Sequence, residues 1–398
     1  MLSEKMLELG TNRSEIRELF EYGKKRKAEI GEDKVFDFSI GNPSVPAPEC
    51  VKEAAMDLLE NEDEVLLHGY TSAQGDLGLR QAIAEYINEQ HGTSLTADNL
   101  YITVGAAASL SISLKALAEE GDEFITFAPF FPEYRVFVEN TGAKLVAADC
   151  DRTNFQIDEA AFRAAITEHT KGVILNSPNN PSGVVITEEG ILQLCAILEK
   201  KQKEYGHPIF LISDEPYREL VYGDVKVPYL MNYYDNTLVC YSYSKSLSLP
   251  GERIGYIAVS GKALQWEQIY AAVCGAGRAL GYVCAPSLFQ QVIKRCQGKT
   301  ADISVYQKNR DILLEALTKY GYRCIKPDGA FYLFVEALEE DAGKFSERAK
   351  EYELLLVPAD SFGTKGFVRV SYCVATEQIE KALPAFRALA ESYGKIQS

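Results

Sequence analysis

The chain has 398 residues, of which 46% are hydrophobic and 25% charged, the make-up of an ordinary folded protein longer than one core usually organises. Lys and Arg number 41 against 57 Asp and Glu, a formal net charge of −16, which disfavours nucleic-acid backbones and anionic membrane surfaces as partners. Nine cysteines without a CxxC pair suggest neither a zinc site nor a disulfide framework, so no metal is expected and a reducing compartment is.

The opening MLSEKMLELGTNRSEIRELF is charged and amphipathic, with Ile16, Leu19 and Phe20 spaced for a helix that reaches about Lys27. It lacks the apolar core of a signal peptide, and no run of about 18 apolar residues follows anywhere, so a cytoplasmic location is expected. FDFSIGNPSVPAP reads as a strand running into a loop. Residues 48–60 read as a helix with Val51, Ala55, Leu58 and Leu59 on one face.

The middle of the chain alternates. LYITV, EFITFA, KLVAAD, GVILN, PIFLIS, TLVCYSY and IGYIAV are short apolar strands, and GAAASLSISLKALAEEG and the segment from about Thr187 to Tyr205 are helices between them. Such alternation predicts a mostly parallel sheet covered on both faces. The last hundred residues read instead as an α+β unit: a helix over about Ala301 to Tyr320, a strand–turn–strand in GYRCIKPDGAFYLFVEA, strands at LLLVPA and FVRVSY, and a terminal helix. No Gly/Ser linker separates the two units, so they are expected to pack firmly together.

Ligands of open parallel sheets bind beyond the carboxyl ends of the strands, and several polar signals fall there. After LYITV, Gly105 through Ser109 open a helix with small residues, which leaves backbone N–H groups free for an anion; packing alone also selects small residues there. After PIFLIS come Asp214, Glu215 and Tyr217. A carboxylate at a buried strand end is costly without a partner, although a helix cap would also place one there. After TLVCYSY come Ser244 and Lys245, then Arg253 eight residues on. An amine in so apolar a setting has a lowered pKa and attacks aldehydes, where an ordinary lysine would reach to solvent. A phosphate needs the helix start and Arg253, an aldehyde needs Lys245, and a pyridinium nitrogen needs a carboxylate such as Asp214. Pyridoxal 5'-phosphate (PLP) carries all three groups.

NSPNNPSG, SDEPY, SYSKSLSLPGERIGY and FVRVSY stand in one order along the chain. With these pieces the sequence closely resembles the class I/II aminotransferases, the aspartate aminotransferase-like branch of fold-type I PLP enzymes, from about Phe36 to the C-terminal helix. The resemblance implies an α/β fold with three layers around a mostly parallel central sheet. It implies a large PLP-binding domain over 51–285 and a small α+β domain built from an N-terminal segment, 1–50, and the C-terminal third, 286–398.

The resemblance also implies roles. Lys245 would hold the cofactor as a Schiff base and shuttle the proton, and Asp214 would pair with the pyridine nitrogen. Tyr217 and Asn180 would bond the phenolic oxygen. The backbone amides of Ala106 and Ala107, with Ser242, Ser244 and Arg253, would hold the phosphate. Phe131 would stack on the ring, with Phe130 as competitor. Arg369 would clamp the substrate α-carboxylate with its bidentate fork, and Gly41 would approach the substrate closely. Tyr70 resembles the tyrosine that reaches the partner subunit's phosphate, so a homodimer with shared active sites is implied.

The implied activity moves an amino group between an L-amino acid and a 2-oxo acid, with aspartate and 2-oxoglutarate as a candidate pair. Arg278, in CGAGRALGYV, stands roughly where some dicarboxylate-specific members carry the arginine that reads a distal carboxylate across the interface. The aromatic loop around Phe130, Phe131 and Tyr134 leaves room for an aromatic or broad-range aminotransferase. A PLP-dependent C–S β-lyase would share every cofactor residue.

Overall fold

A computed structural model of the chain describes residues 2–11 and 14–396. Met1, Asn12, Arg13, Gln397 and Ser398, which belong to the expected terminal segments, lie outside the described residues.

Seven strands form the central sheet, in the order Leu100–Thr103, Gly255–Val259, Thr237–Ser242, Phe210–Asp214, Thr170–Asn176, Glu123–Ala128, Lys144–Asp149. Pairing is parallel from Thr237–Ser242 to Lys144–Asp149, and Gly255–Val259 runs antiparallel to both of its neighbours. The expected mostly parallel sheet is therefore present, with one reversed strand.

Side chains of a strand alternate between faces, and here both faces are dry. Ile125, Val173 and Leu211 pack on one side with Ile191, Leu194 and Leu198 of the helix Glu188–Tyr205. Phe124, Ile174 and Ile212 pack on the other with Leu110 and Leu114 of the helix Ala106–Leu117 and Val273 of the helix Trp266–Leu280. Each fully buried side chain of this size contributes about 1.5–3 kcal/mol, which is why the strands read as continuous apolar runs. Thr187 starts its helix by accepting from the Gly190 N–H at 3.2 Å, and Gly206 ends it in the left-handed conformation at φ 76°.

The C-terminal region carries a four-stranded antiparallel sheet in the order Val357–Pro358, Phe367–Ser371, Tyr332–Glu336, Cys324–Ile325. The helices Ser304–Lys319 and Thr376–Ser392 cover it through Leu313, Leu317, Ile379 and Phe386. The expected single strand at LLLVPA is two short ones. Leu354–Leu355 pairs in parallel with Phe36–Asp37, and Val357–Pro358 joins the four-stranded sheet. Leu354 through Val357 are all buried, so alternation could not reveal where one strand stops. Phe155, from the large unit, packs edge-on against the stacked rings of Phe334 and Phe367 at 5.2 and 5.3 Å, joining the two units through one core.

The N-terminal segment is two helices, Glu4–Thr11 and Glu15–Ile30, rather than one ending near Lys27. The helix Ser287–Arg295 packs Val292 and Ile293 against Leu58, Leu79 and Ile83 of the large unit. Among the described residues, no helix is long and apolar enough to cross a membrane.

Candidate active site

A cavity of about 320 Å³ opens at the carboxyl ends of the parallel strands. Lys245, Asp214, Tyr217 and Asn180 line it. So do Ala106, Ala107, Ser242, Ser244 and Arg253, and Gly41, Phe131 and Arg369. Two expected residues do not. Tyr70 is 98% exposed, and Arg278 is an exposed residue in the last turn of its helix; neither lines the cavity. Within one chain nothing brings either to the site.

Lys245 sits in the short helix Tyr243–Ser246 that follows the strand Thr237–Ser242. Its amine donates to the Gly41 carbonyl at 2.6 Å and lies 5.3 Å from the Phe331 ring centre. Burial lowers its pKa to about 8, and the nearby Arg253 and Arg369 push the same way against an opposing effect of Cys373. Gly41 is closely packed: a Cβ there would stand 2.1 Å from the Tyr332 hydroxyl, which would have to shift.

Asp214 ends its strand 4% exposed. Its Oδ2 accepts from the Tyr134 hydroxyl, and its Oδ1 is buried with no protein partner. Burial raises its pKa to about 7; the Tyr134 bond opposes this and the neighbouring Glu215 adds to it. The two adjacent carboxylates are thus told apart by their partners. Glu215 is satisfied by Ser213 at 2.6 Å and by Arg218 at 2.5 Å, whereas Asp214, which lines the cavity, keeps one oxygen without a protein partner. An unpaired buried oxygen of this kind costs about 1–3 kcal/mol or more, so it marks the place of a missing donor.

The anion end is assembled from three chain segments. The helix Ala106–Leu117 points its first N–H groups outward, where they lack intrahelical acceptors. Ser242 and Ser244 share a hydroxyl bond at 2.6 Å, and Arg253 reaches Ser244 Oγ at 3.5 Å. Gly105, at φ 98°, leaves room for that arginine: a Cβ there would lie 2.8 Å from Arg253 Nη2.

Arg369 lies on the strand Phe367–Ser371, 2% exposed. It donates to Asn180 Oδ1 at 3.0 Å and to the Ser39 carbonyl at 2.6 Å, while its Nε has no partner. The rings of Tyr332 and Phe362 sit 4.7 and 5.1 Å from the guanidinium carbon, a setting that tolerates a buried cation. Burial lowers its pKa, though a guanidinium remains charged. The Tyr217 hydroxyl bonds the Tyr332 hydroxyl at 2.9 Å, and burial pushes Tyr217 far above its usual range, so it stays protonated.

The aromatic loop divides. Phe131 lines the cavity, whereas Phe130 and Tyr134 are 3% and 1% exposed and turn away from it. Of the aromatic loop that the sequence singled out, Phe131 is the ring on the cavity lining. Sequence reasoning missed Ile16, Leu110, Asn176, Pro216, Pro250 and Tyr332 on the lining, and Tyr134 behind Asp214. Asn176, Pro216 and Pro250 stand inside the segments NSPNNPSG, SDEPY and SYSKSLSLPGERIGY; Ile16, Leu110 and Tyr332 carried no local signal.

A donor opposite Asp214 Oδ1, an anion at the Arg253 end, an electrophile for Lys245 and a flat body beside Phe131 describe a phosphorylated pyridine aldehyde. The residues present fit PLP.

Comparison with known proteins agrees. The profile of the family described as Aminotransferase class I and II matches residues 33–386. An aspartate aminotransferase from Thermotoga maritima is 31% identical over 92% of this chain and 95% of its own. Aromatic-amino-acid aminotransferase 2 from Thermococcus litoralis is 30% identical over 94% of each. A crystal structure of an aminotransferase from Eubacterium rectale superposes with a TM-score of 0.97, at 60% identity over 99% of both chains.

Proposed function

This chain belongs to the class I and II aminotransferases, PLP-dependent transaminases that act on amino acids and 2-oxo acids, and from that premise we propose how its residues divide the work. One observation carries the proposal: a single cavity joins an amine of lowered pKa, a carboxylate with one open oxygen, and a buried arginine with an open Nε.

PLP supplies an aldehyde that takes up the amino group and an electron-poor ring that draws charge from the substrate Cα. Arg253, Ser242, Ser244 and the Ala106 and Ala107 amides hold its phosphate. Asp214, as an anion, keeps a proton on the ring nitrogen through Oδ1. Asn180 and Tyr217 would bond the phenolic oxygen, and Phe131 would cover one ring face. Arg369 grips the substrate α-carboxylate and so fixes the orientation of Cα. Lys245 Nζ, unprotonated, takes the proton from Cα. Leu110, Phe131, Pro216 and Pro250 keep the surroundings apolar, which strengthens each of these interactions. A 2-oxo acid then runs the same residues in reverse, giving ping-pong kinetics.

Aspartate with 2-oxoglutarate is the substrate pair we propose. The cations on the lining, Lys245, Arg253 and Arg369, are all engaged, so a distal carboxylate needs a charge from elsewhere. Arg278 of a second copy is the candidate. Tyr70, Val65 and Leu66 are at least 80% exposed, and Thr71 touches Cys284, just past the Arg278 helix, at 3.4 Å. This face supports a homodimer with shared sites. The large unit then extends through the helix Ser287–Arg295, which packs with it, rather than stopping at 285. Free thiols at all nine cysteines support the cytoplasm.

The test is a half-reaction screen of twenty amino acids against the holoenzyme, read from cofactor absorbance, repeated with Arg278→Ala. Aspartate should react fastest, and the variant should lose its preference for aspartate over alanine. An unchanged preference removes Arg278 from the proposal, and release of pyruvate and ammonia without an acceptor would mark lyase chemistry instead.

A further inference from the structure

Asp214 is reached from two sides. Asp214 lines the cavity with its Oδ1 lacking a protein partner, and Tyr134 donates to Oδ2 from within the core. Tyr134 lies in the first turn of the short helix Glu133–Glu139, is 1% exposed and packs its ring edge-on to Phe131 at 5.7 Å. Burial and the Asp214 carboxylate hold its hydroxyl far above the usual phenol range, so it is a fixed donor. The aspartate backbone is equally fixed: its carbonyl accepts from Asn176 Nδ2 at 2.9 Å.

We infer that Tyr134 is a positioning residue for the transamination: its hydroxyl occupies Oδ2 so that Asp214 presents Oδ1 alone, as an anion, to the ring nitrogen. This rests on the cofactor reading above. The groups facing Asp214 are Tyr134, Glu215, Tyr217 and Cys240. Burial and Glu215 both favour a protonated Asp214, and the Tyr134 bond is the influence that favours the anion. A protonated Asp214 could not hold a proton on the ring. The bond also fixes which oxygen is open, because a carboxylate free to turn about χ2 would present either. One short segment thus sets both the ring that covers the cofactor face and the group behind its nitrogen partner.

Tyr134→Phe removes the hydroxyl and keeps the packing. Apoprotein of wild type and variant is loaded with PLP labelled with ¹⁵N in the ring, and the nitrogen shift is followed against pH. A hydrogen bond to a charged group of ordinary strength corresponds to about one to two pH units, so the ring should lose its proton that much earlier in the variant. PLP should dissociate roughly tenfold or more faster relative to binding, and Tyr134→His, which keeps a donor, should recover part of both. A variant that melts earlier but titrates like wild type would show a core role only and overturn the inference. If the Phe variant does not fold, a fluorotyrosine at this position alone makes the phenol a stronger donor. The ring should then hold its proton to higher pH, and an unmoved titration overturns the inference. Borohydride trapping of PLP on wild-type Lys245 in the same samples separates the two levels. Failure to trap there sinks the cofactor reading, whereas trapping with an unmoved titration sinks only the role of Tyr134.

Discussion

Arg369→Lys keeps the charge at the substrate end and removes the planar fork. The side chain it replaces is held by Asn180 Oδ1 at 3.0 Å, the Ser39 carbonyl at 2.6 Å and two aromatic faces, with Nε left open. A bidentate grip on the α-carboxylate needs two N–H groups on one side of the fork, and an ammonium supplies one point contact. The net loss is one charge-assisted hydrogen bond, about 1.5–3 kcal/mol, or roughly 10- to 150-fold in kcat/KM. Because the carboxylate is bound alike before and during proton removal, the loss should fall on the saturation constant of the half-reaction and leave its limiting rate within about threefold. Ser39 and Asn180 lose donors in free and bound enzyme alike, so their cost appears as a lower Tm and not in kcat/KM. Single-turnover mixing of holoenzyme with aspartate, read from cofactor absorbance, separates the two parameters. A saturation constant within about twofold of wild type would refute the clamp.

Two further expectations follow from the pKa directions. Lys245 must be unprotonated to attack an aldehyde, and its pKa is lowered to about 8, so the rate of PLP uptake by apoprotein should rise with pH and level off above about 8. At pH 7 only about a tenth of the amine is free. A rate still climbing steeply above pH 9 would mean an ordinary, solvated lysine. Asp214→Ala should still trap PLP covalently on Lys245 after borohydride reduction but lose roughly 100-fold or more of its turnover, since a ring without its proton draws charge poorly; wild-type turnover in that variant would remove Asp214 from the reaction.

The sheet and the cofactor end were legible because both are local in sequence. A buried parallel strand must be apolar throughout, and its carboxyl end is where polar residues stand out, as at Asp214, Ser242 and Lys245. Arg369 stood out because an arginine interrupts an apolar strand. What could not be read is what distant segments bring together. Ile16 and Tyr332 lie far apart in sequence yet line the same cavity, and neither looks different from a core residue. Tyr134 read as part of an aromatic loop, and nothing near it in sequence says that its hydroxyl turns inward to Asp214, eighty residues on. The exposure of Tyr70 and Arg278 is equally silent in the sequence, since it depends on how the chain folds around them.

The reversed strand has a consequence for how such a site can change. Gly255 is in register with Thr103 on one side and Ser242 on the other, so the segments carrying Ala106, Ser244, Lys245 and Arg253 all leave from a single rung. That rung admits no side chain at its centre, because a Cβ on Gly255 would meet the Tyr241 carbonyl at 2.3 Å and the Gly105 Cα at 3.0 Å. Arg369 stands on a different sheet altogether. A change at Gly255 would therefore disturb the segments carrying Ala106, Lys245 and Arg253 together, while leaving the sheet that carries Arg369 in place.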